Sequence, residues 1–351
     1  MNYIGSKHSI VDFLEESIID FIDDDAKVFC DIFAGTGVVG KRFKSLGYDI
    51  IANDNQYYSF VINKNILENN TLPMFSKLRL RGIDVFNYLN QLKNYKGFIY
   101  NNYTLEGTKK GLYSRCYFTE ENAIKIDSMR NQIEKWYKKE LIEKNEYYYL
   151  VSCLLESADK VANTASVYEA FLKKIKKSAQ RVIEIKPLDL INNKIKSKVY
   201  IEDANELVKC IKGDILYLDP PYNTRKYSSN YHILETIAYG DCPIIKGKTG
   251  VRTDQISSDY NRKNKVKNAL DDLLKNASFK YIFLSYNDEG IMSLDEIEEI
   301  MKKYGIYKRY EKNHKRYKAN KNREITKKTT IEYLHALKKN EEDIWKKVII
   351  H

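Results

Sequence analysis

The sequence predicts an α/β protein: a doubly wound, seven-stranded mixed sheet into which a mainly helical segment is inserted. Three observations carry that prediction. Apolar runs of strand length occur near residues 28, 49, 199, 215, 281, 307 and 331. The first two of these frame a glycine-rich turn and a helix, and the second closes on an acidic residue, which is half of a doubly wound sheet. Between about Thr71 and Pro187 the strand pattern stops and helical spacing takes over.

Composition sets the outer bounds. The chain has 351 residues, 43% of them hydrophobic, enough for one large domain or two ordinary ones. No run of about 18 apolar residues exists to span a membrane. The segment Met1 to Asp12 lacks an apolar core and a small-residue cleavage site. The five cysteines (Cys30, Cys116, Cys153, Cys210 and Cys242) are scattered, with no CxxC pair or Cys/His cluster. They read as reduced thiols of a cytoplasmic protein, with no metal. The net charge of +11 suits a polyanion. By itself that charge does not separate nucleic-acid binding from a lysine-rich composition. The 29 tyrosines can stack on bases, but most are expected to pack.

Along the chain, Ile10, Phe13, Leu14, Ser17, Ile18 and Phe21 keep helical spacing, with Ser9 as a candidate cap. Val28 to Phe33 reads as a strand leading into Gly35-Thr-Gly37-Val-Val-Gly40 and a helix to Leu46, ended by Gly47. Asp49 to Ala52 is the second strand, and a helix carrying Tyr58, Val61, Ile62 and Ile66 follows. Gly97 to Phe118 reads as a basic loop or hairpin. Thr119 to Lys144, Tyr147 to Val161 and the basic stretch Glu169 to Arg181 read as helices. Strands resume at Val199 and at Ile215 to Leu218. Then come a helix at His232 to Tyr239, a basic loop from Lys246 to Arg252, and a helix from Lys265 to Leu274. The strand Tyr281 to Leu284, the helix Leu294 to Met301 and a hairpin from Tyr307 to Leu337 close the pattern.

Two stretches carry chemistry. The strand Ile215 to Leu218 ends on Asp219-Pro220-Pro221-Tyr222. Proline fixes φ and donates no hydrogen bond, so the chain leaves the sheet stiffly and presents a carboxylate and a ring at a strand's carboxyl end. Open α/β sheets bind ligands there. The Gly35-x-Gly37-x-x-Gly40 turn lets a backbone lie close to an adenosine ligand, and Asp54 can hold a ribose. That fits a nicotinamide cofactor or S-adenosyl-L-methionine. Asp31, an extra carboxylate beside the turn, is unwelcome near a pyrophosphate and compatible with a sulfonium.

In combination, Tyr3-Ile-Gly-Ser-Lys7, Asp31-Ile-Phe-Ala-Gly-Thr-Gly37, Asn53-Asp54 and Asp219-Pro-Pro-Tyr222 resemble the D12-class, Dam-like N6-adenine DNA methyltransferases, and they occur in that family's order. The resemblance implies a Rossmann-like S-adenosylmethionine-dependent methyltransferase fold. It implies a catalytic and cofactor-binding domain of residues 1–70 and 195–351 and an inserted target-recognition domain of residues 71–194. Tyr3 and Lys7 match positions that contact the cofactor, Asp31, Gly35 and Gly37 the loop under its methionine part, Asp54 the ribose site, and Asp203 the acid near its adenine. Asp219, Pro220 and Tyr222 match the catalytic motif, with Asp219 also adjoining the cofactor. Tyr3-Ile-Gly-Ser departs from the Trp and paired Gly that many Dam-like enzymes carry.

The implied activity is site-specific methylation of adenine N6 in duplex DNA, the base being flipped out of the stack, as the modification half of a restriction system. The implied partners are duplex DNA and a cognate restriction endonuclease, with a monomer acting on one base and no membrane. An N4-cytosine methyltransferase, an RNA or protein-amide methyltransferase and an inactive nucleic-acid-binding relative are the competing readings. No Pro-Cys pair supports cytosine C5 chemistry. Candidate phosphate contacts are Lys109, Lys110, Arg115, Lys173 to Lys177, Lys246 to Arg252, and Lys315, Arg316, Lys318, Lys321 and Arg323. Tyr227 and Tyr231 could line a flipped-base pocket or pack, and packing is the favoured reading; His232 reads as a helix-face residue rather than a base.

Overall fold

The computed structural model describes residues 6–223, 227–315 and 329–342. The chain divides into two compact units. The first comprises residues 6–55, 194–223 and those from 257 onward, and holds the seven-stranded sheet. Its strands are β1 (Val28–Asp31), β2 (Asp49–Asn53), β3 (Ser197–Tyr200), β4 (Lys212–Leu218), β5 (Ser278–Asn287), β6 (Gly305–Lys315) and β7 (Thr329–Lys339). Each expected apolar run is a strand. The order across the sheet is β3-β2-β1-β4-β5-β7-β6. The first five strands pair in parallel, and β7 runs antiparallel between β5 and β6. The winding direction reverses between β1 and β4, so a crevice opens at their carboxyl ends.

Local chemistry sets this register. The Asp214 carboxylate accepts from the backbone N–H groups of Lys27 and Val28, each at 2.8 Å, and aligns the start of β1 beside β4. The Val38–Ser45 helix ends in a Schellman turn: Gly47 N donates to Lys44 O and Tyr48 N to Phe43 O. Gly47 takes φ 95°, the left-handed conformation expected of it. On one sheet face Phe29 stacks on Phe43, and Phe21 of the Val11–Phe21 helix meets Tyr281 and Phe283 edge-on. On the other, Leu216, Ile282 and Leu284 pack with the Val266–Asn276 and Leu294–Lys302 helices. Ser9 does not cap the first helix; Ile10 occupies the cap position, with no side-chain bond.

The second unit, Gln56–Asn193 with Tyr227–Ile256, is mainly helical. Its spine is the Glu120–Lys138 helix, capped by Thr119, and the Lys144–Val161 helix, started by a capping box of Glu143 and Glu146. The Arg130 guanidinium closes the far end of the His232–Tyr239 helix, donating to the carbonyls of Ile237, Ala238 and Tyr239. Several expectations are corrected. Gly97 to Phe118 holds two short helices, Phe98–Tyr103 and Leu105–Thr108, instead of a hairpin. The helix from Thr119 stops at Lys138. Glu169 to Arg181 is helical only as the short turn Lys177–Gln180, because tertiary bonds claim its backbone: Leu172 N donates to Asn163 O and Lys176 N to Asn163 Oδ1. Lys246 to Arg252 is a small antiparallel ribbon rather than a loop. Among the described residues no helix is long and apolar enough to cross a membrane.

Candidate active site

The carboxyl ends of β1, β2 and β4 converge in the sheet-bearing unit. Buried Asn53, at the end of β2, ties them together. Its Nδ2 donates to Ile32 O and Glu202 O, both at 3.1 Å, and its Oδ1 accepts from Glu202 N at 2.9 Å. This bracket fixes the turns that follow β1 and β3, and so places Asp54 and Asp203. The Gly35 N–H donates to Asp54 Oδ2 at 2.9 Å. Gly35 and Gly37 take φ of 51° and 73°, a left-handed backbone that strains other L-residues. The turn is closed by Gly37 N donating to Ala34 O.

Asp31 ends β1 and is buried, and its Oδ1 has no hydrogen-bond partner among the described residues. Its pKa lies well above the usual carboxylate range, first through burial and then through the charges of Asp219 and Asp54, against which the N–H groups of Gly40 and Phe33 work. Asp219 follows β4. Lys7 Nζ stands 2.9 Å from Asp219 Oδ1, and the two side chains are 6% and 18% exposed. Burial raises the Asp219 pKa, and the charge of the Lys7 ammonium opposes that rise. Burial works to lower the Lys7 ammonium's pKa, but Asp219 foremost, then Tyr222 and Glu332, hold it well above the ordinary lysine value. The Tyr222 ring lies 5.6 Å from Lys7 Nζ and meets Tyr286 edge-on at 5.8 Å. Its carbonyl accepts from Ile291 N at 2.9 Å, and Asn261 Nδ2 donates to Asn223 O at 2.7 Å, so the turn after the two prolines is held at both of these residues.

The sequence-derived residues Lys7, Asp31, Gly35, Gly37, Asp54, Asp219, Pro220 and Tyr222 therefore come from one end of one sheet. Lys7 contacts Asp219 directly, a partner that residue spacing did not suggest. Exposed Asp203 caps a short helix, Ala204–Leu207, accepting from Asn205 N and Glu206 N. Tyr3 lies outside the described residues. Sequence reasoning missed Glu332, on β7, which stands opposite Asn287 in the strand register. It is 8% exposed and its Oε2 has no hydrogen-bond partner among the described residues. Burial raises its pKa; Lys7 opposes, and Asp219 adds to the rise. A carboxylate in a strand that reads Ile-Glu-Tyr-Leu-His-Ala-Leu was the available signal, since an acid is rarely buried without a reason. Among the described residues no group of three or more His, Cys, Asp or Glu side chains could hold a metal ion.

The candidate phosphate contacts divide. Arg115 and Arg252 are used internally. Arg252 is 5% exposed and forks onto Asp241 and Asp254. Lys109 pairs with Glu106, and Lys176 Nζ donates to Thr164 O. Lys110, Lys173, Lys174, Lys177, Lys246 and Lys248 are exposed. Arg316, Lys318, Lys321 and Arg323, and the side chains of Lys315 and Tyr227, lie outside the described residues. Tyr231 is fully buried against Tyr58, and His232 is fully buried, its ring nitrogens facing the carbonyls of Ser229 and Thr249. Burial pushes the imidazole pKa down to about 4.

Comparison with known proteins agrees with this geometry. Residues 3–300 match the family described as D12 class N6 adenine-specific DNA methyltransferase. The chain is 45% identical to the type II methyltransferase M.NlaIII of Neisseria lactamica, over 97% of this chain and 99% of that protein. It is 39% identical to the type II methyltransferase M.FokI of Planomicrobium okeanokoites over 97% of this chain, and 37% identical to the modification methylase StsI of Streptococcus sanguinis over 93%. It spans 53% and 50% of those two longer proteins. The chain belongs to the D12 class N6 adenine-specific DNA methyltransferase family and is an S-adenosylmethionine-dependent DNA methyltransferase.

Proposed function

We propose that this protein methylates N6 of an adenine turned out of duplex DNA, at a specific site, as the modification partner of a restriction endonuclease. The observation that carries the reading is the Lys7–Asp219 ion pair beside Pro220 and Tyr222, at the end of the strand next to the Gly35–Gly37 turn. The donor set suits the cofactor: Asp219 and Glu332 act on the Lys7 ammonium, and Asp31 lies within reach of the charges of Asp219 and Asp54. That excess of carboxylate would repel a pyrophosphate and complements a sulfonium with its ammonium. Asp31, Gly35, Gly37, Asp54 and Asp203 would hold it, together with Lys7. When bound, S-adenosyl-L-methionine supplies a methyl group on positively charged sulfur.

The chain's own residues prepare the nucleophile. An adenine amino group is a poor one, because its lone pair is conjugated with the ring. Asp219 accepts one N–H and the Pro220 carbonyl accepts the other, which draws the nitrogen out of plane and aims its lone pair. Tyr222 offers a face on which the extruded base stacks, a contact of about 1–3 kcal/mol. Lys7 keeps Asp219 ionised against the pull of burial, so it remains an acceptor. These are positioning and electrostatic effects. The helical unit, including residues 71–194, reads the target, and the protein acts as a monomer in the cytoplasm.

Transfer of labelled methyl groups into duplex DNA, followed by nucleoside chromatography, tests this. N6-methyladenine should appear, and Asp219→Ala should abolish it. N4-methylcytosine as the product would overturn the adenine assignment.

A further inference from the structure

In the helical unit, two loops far apart in sequence are welded together. Arg115 Nε donates to Lys248 O at 3.0 Å and its Nη2 to Gly247 O at 3.0 Å, while Nη1 reaches Asn102 O at 3.3 Å. The weld continues inward. Tyr103 OH donates to Gly250 O at 2.8 Å, and Tyr117 OH to Thr249 O at 3.2 Å. Both tyrosines are fully buried. Gly247 and Gly250 take φ of 70° and 71°, and a Cβ on Gly250 would stand 2.9 Å from Arg115 Nε, so the ribbon's turn is shaped to receive the guanidinium.

The outer side of this weld is cationic. Lys110 on one loop and Lys246 and Lys248 on the other are exposed, and no carboxylate among the described residues lies within ion-pair distance of them. Of the nearby acids, Glu106 pairs with Lys109, and Asp241 and Asp254 pair with Arg252, while Glu169 and Glu120 lie on the inner side, acting on Tyr117 and on Glu106 N and Cys116. Leu112, 88% exposed, stands at the tip of the first loop, flanked by Gly111 and by Tyr113 at 38%. Leu112 gives the first loop an apolar tip two residues from Lys110, a combination that suits a partner with both charge and apolar edges.

We infer that loops 108–114 and 244–250, held as one body by Arg115, form a docking surface for duplex DNA. Lys110, Lys246 and Lys248 contact phosphates, and Leu112 packs against the base stack. Arg115 acts through the weld as a positioning residue rather than as a phosphate contact. The inference rests on the DNA-methylating reading and extends it to residues outside the 71–194 insert. Neutralised phosphates release counterions, so removing any one of these lysines should lower the salt slope of binding by about 0.9.

The test is fluorescence anisotropy on a duplex carrying the site that the wild-type protein methylates, between 50 and 200 mM salt. The K110A/K246A/K248A variant should lose between two and three in slope, with unchanged thermal melting. Arg115→Met should lose more than one, since both loops come loose, and Leu112→Ala should weaken binding with its slope intact. An unchanged slope in the triple variant overturns the surface. A loss of one or less in Arg115→Met overturns the positioning role. Tighter binding to a hairpin RNA of equal length overturns duplex DNA as the occupant. If wild type neither binds nor methylates any duplex, the underlying reading fails instead.

Discussion

Replacing Lys7 with methionine keeps the apolar stem and removes the ammonium 2.9 Å from Asp219. Removing one partner of a buried pair costs about 3–5 kcal/mol, and the lower figure applies because Asp219 keeps some access to water. Its carboxyl pKa is already above its usual range through burial, with Lys7 the opposing influence. Without Lys7 it rises further, and protonated Asp219 no longer accepts from the amino group. If the whole of about 3 kcal/mol is felt, methyl transfer at pH 7 falls about 100-fold. The loss is recoverable: single-turnover rates should climb with pH, and the acid limb of the profile should lie at higher pH than in wild type. Stability follows the same sign. A carboxyl whose folded pKa exceeds its unfolded value destabilises increasingly as pH rises above the unfolded value, so the variant should approach wild-type melting near pH 5 and fall behind it near pH 8. A profile depressed evenly at every pH, with the cofactor KM raised, would show that Lys7 serves the cofactor and not the Asp219 charge.

Glu332→Gln should move the acid limb the other way, to lower pH. It removes a negative neighbour of Asp219 while leaving Lys7 in place; Asn287 and Asp288 are the other groups facing that carboxyl. Gly37→Ala places a Cβ at φ 73°, a strain of about 1–2 kcal/mol. Calorimetry should find S-adenosylmethionine bound roughly 5–30-fold more weakly. Arg130→Met leaves three carbonyls at the end of the His232–Tyr239 helix and the Tyr147 hydroxyl without their donor. Urea unfolding should show a loss of about 3 kcal/mol.

The sheet was legible because its strands are apolar runs punctuated by glycine, proline and acid, a purely local signal. The motif residues were legible because the sheet carries them to one end in fixed order. What stayed hidden depends on distant partners. The Phe98–Tyr103 helix starts where it does because the Asp127 carboxylate, some thirty positions on, accepts from the N–H groups of Gly97, Ile99 and Tyr100. Burial holds its pKa up at about 6, although these three N–H groups work to lower it. The Tyr57–Asn63 helix is likewise started by Glu235, which accepts from Tyr57 N and Tyr58 N. The sequence of the 169–181 stretch favours a helix, and Asn163 overrules it. In the site, the roles of Asn53 and Glu332 emerge only once three strands lie side by side.

The place of β7 between β5 and β6 has a consequence for how the protein comes into being on the ribosome. β6 is synthesised before β7 yet pairs only with β7 and ends up outside it, so the outer edge of β5 stays open until β7 has been made. Until then Lys7 and Asp219, made long before, lack Glu332 beside them. A nascent chain thus carries the motif without the finished site, and closure waits on the pairing of β7 with β5, strands some fifty positions apart.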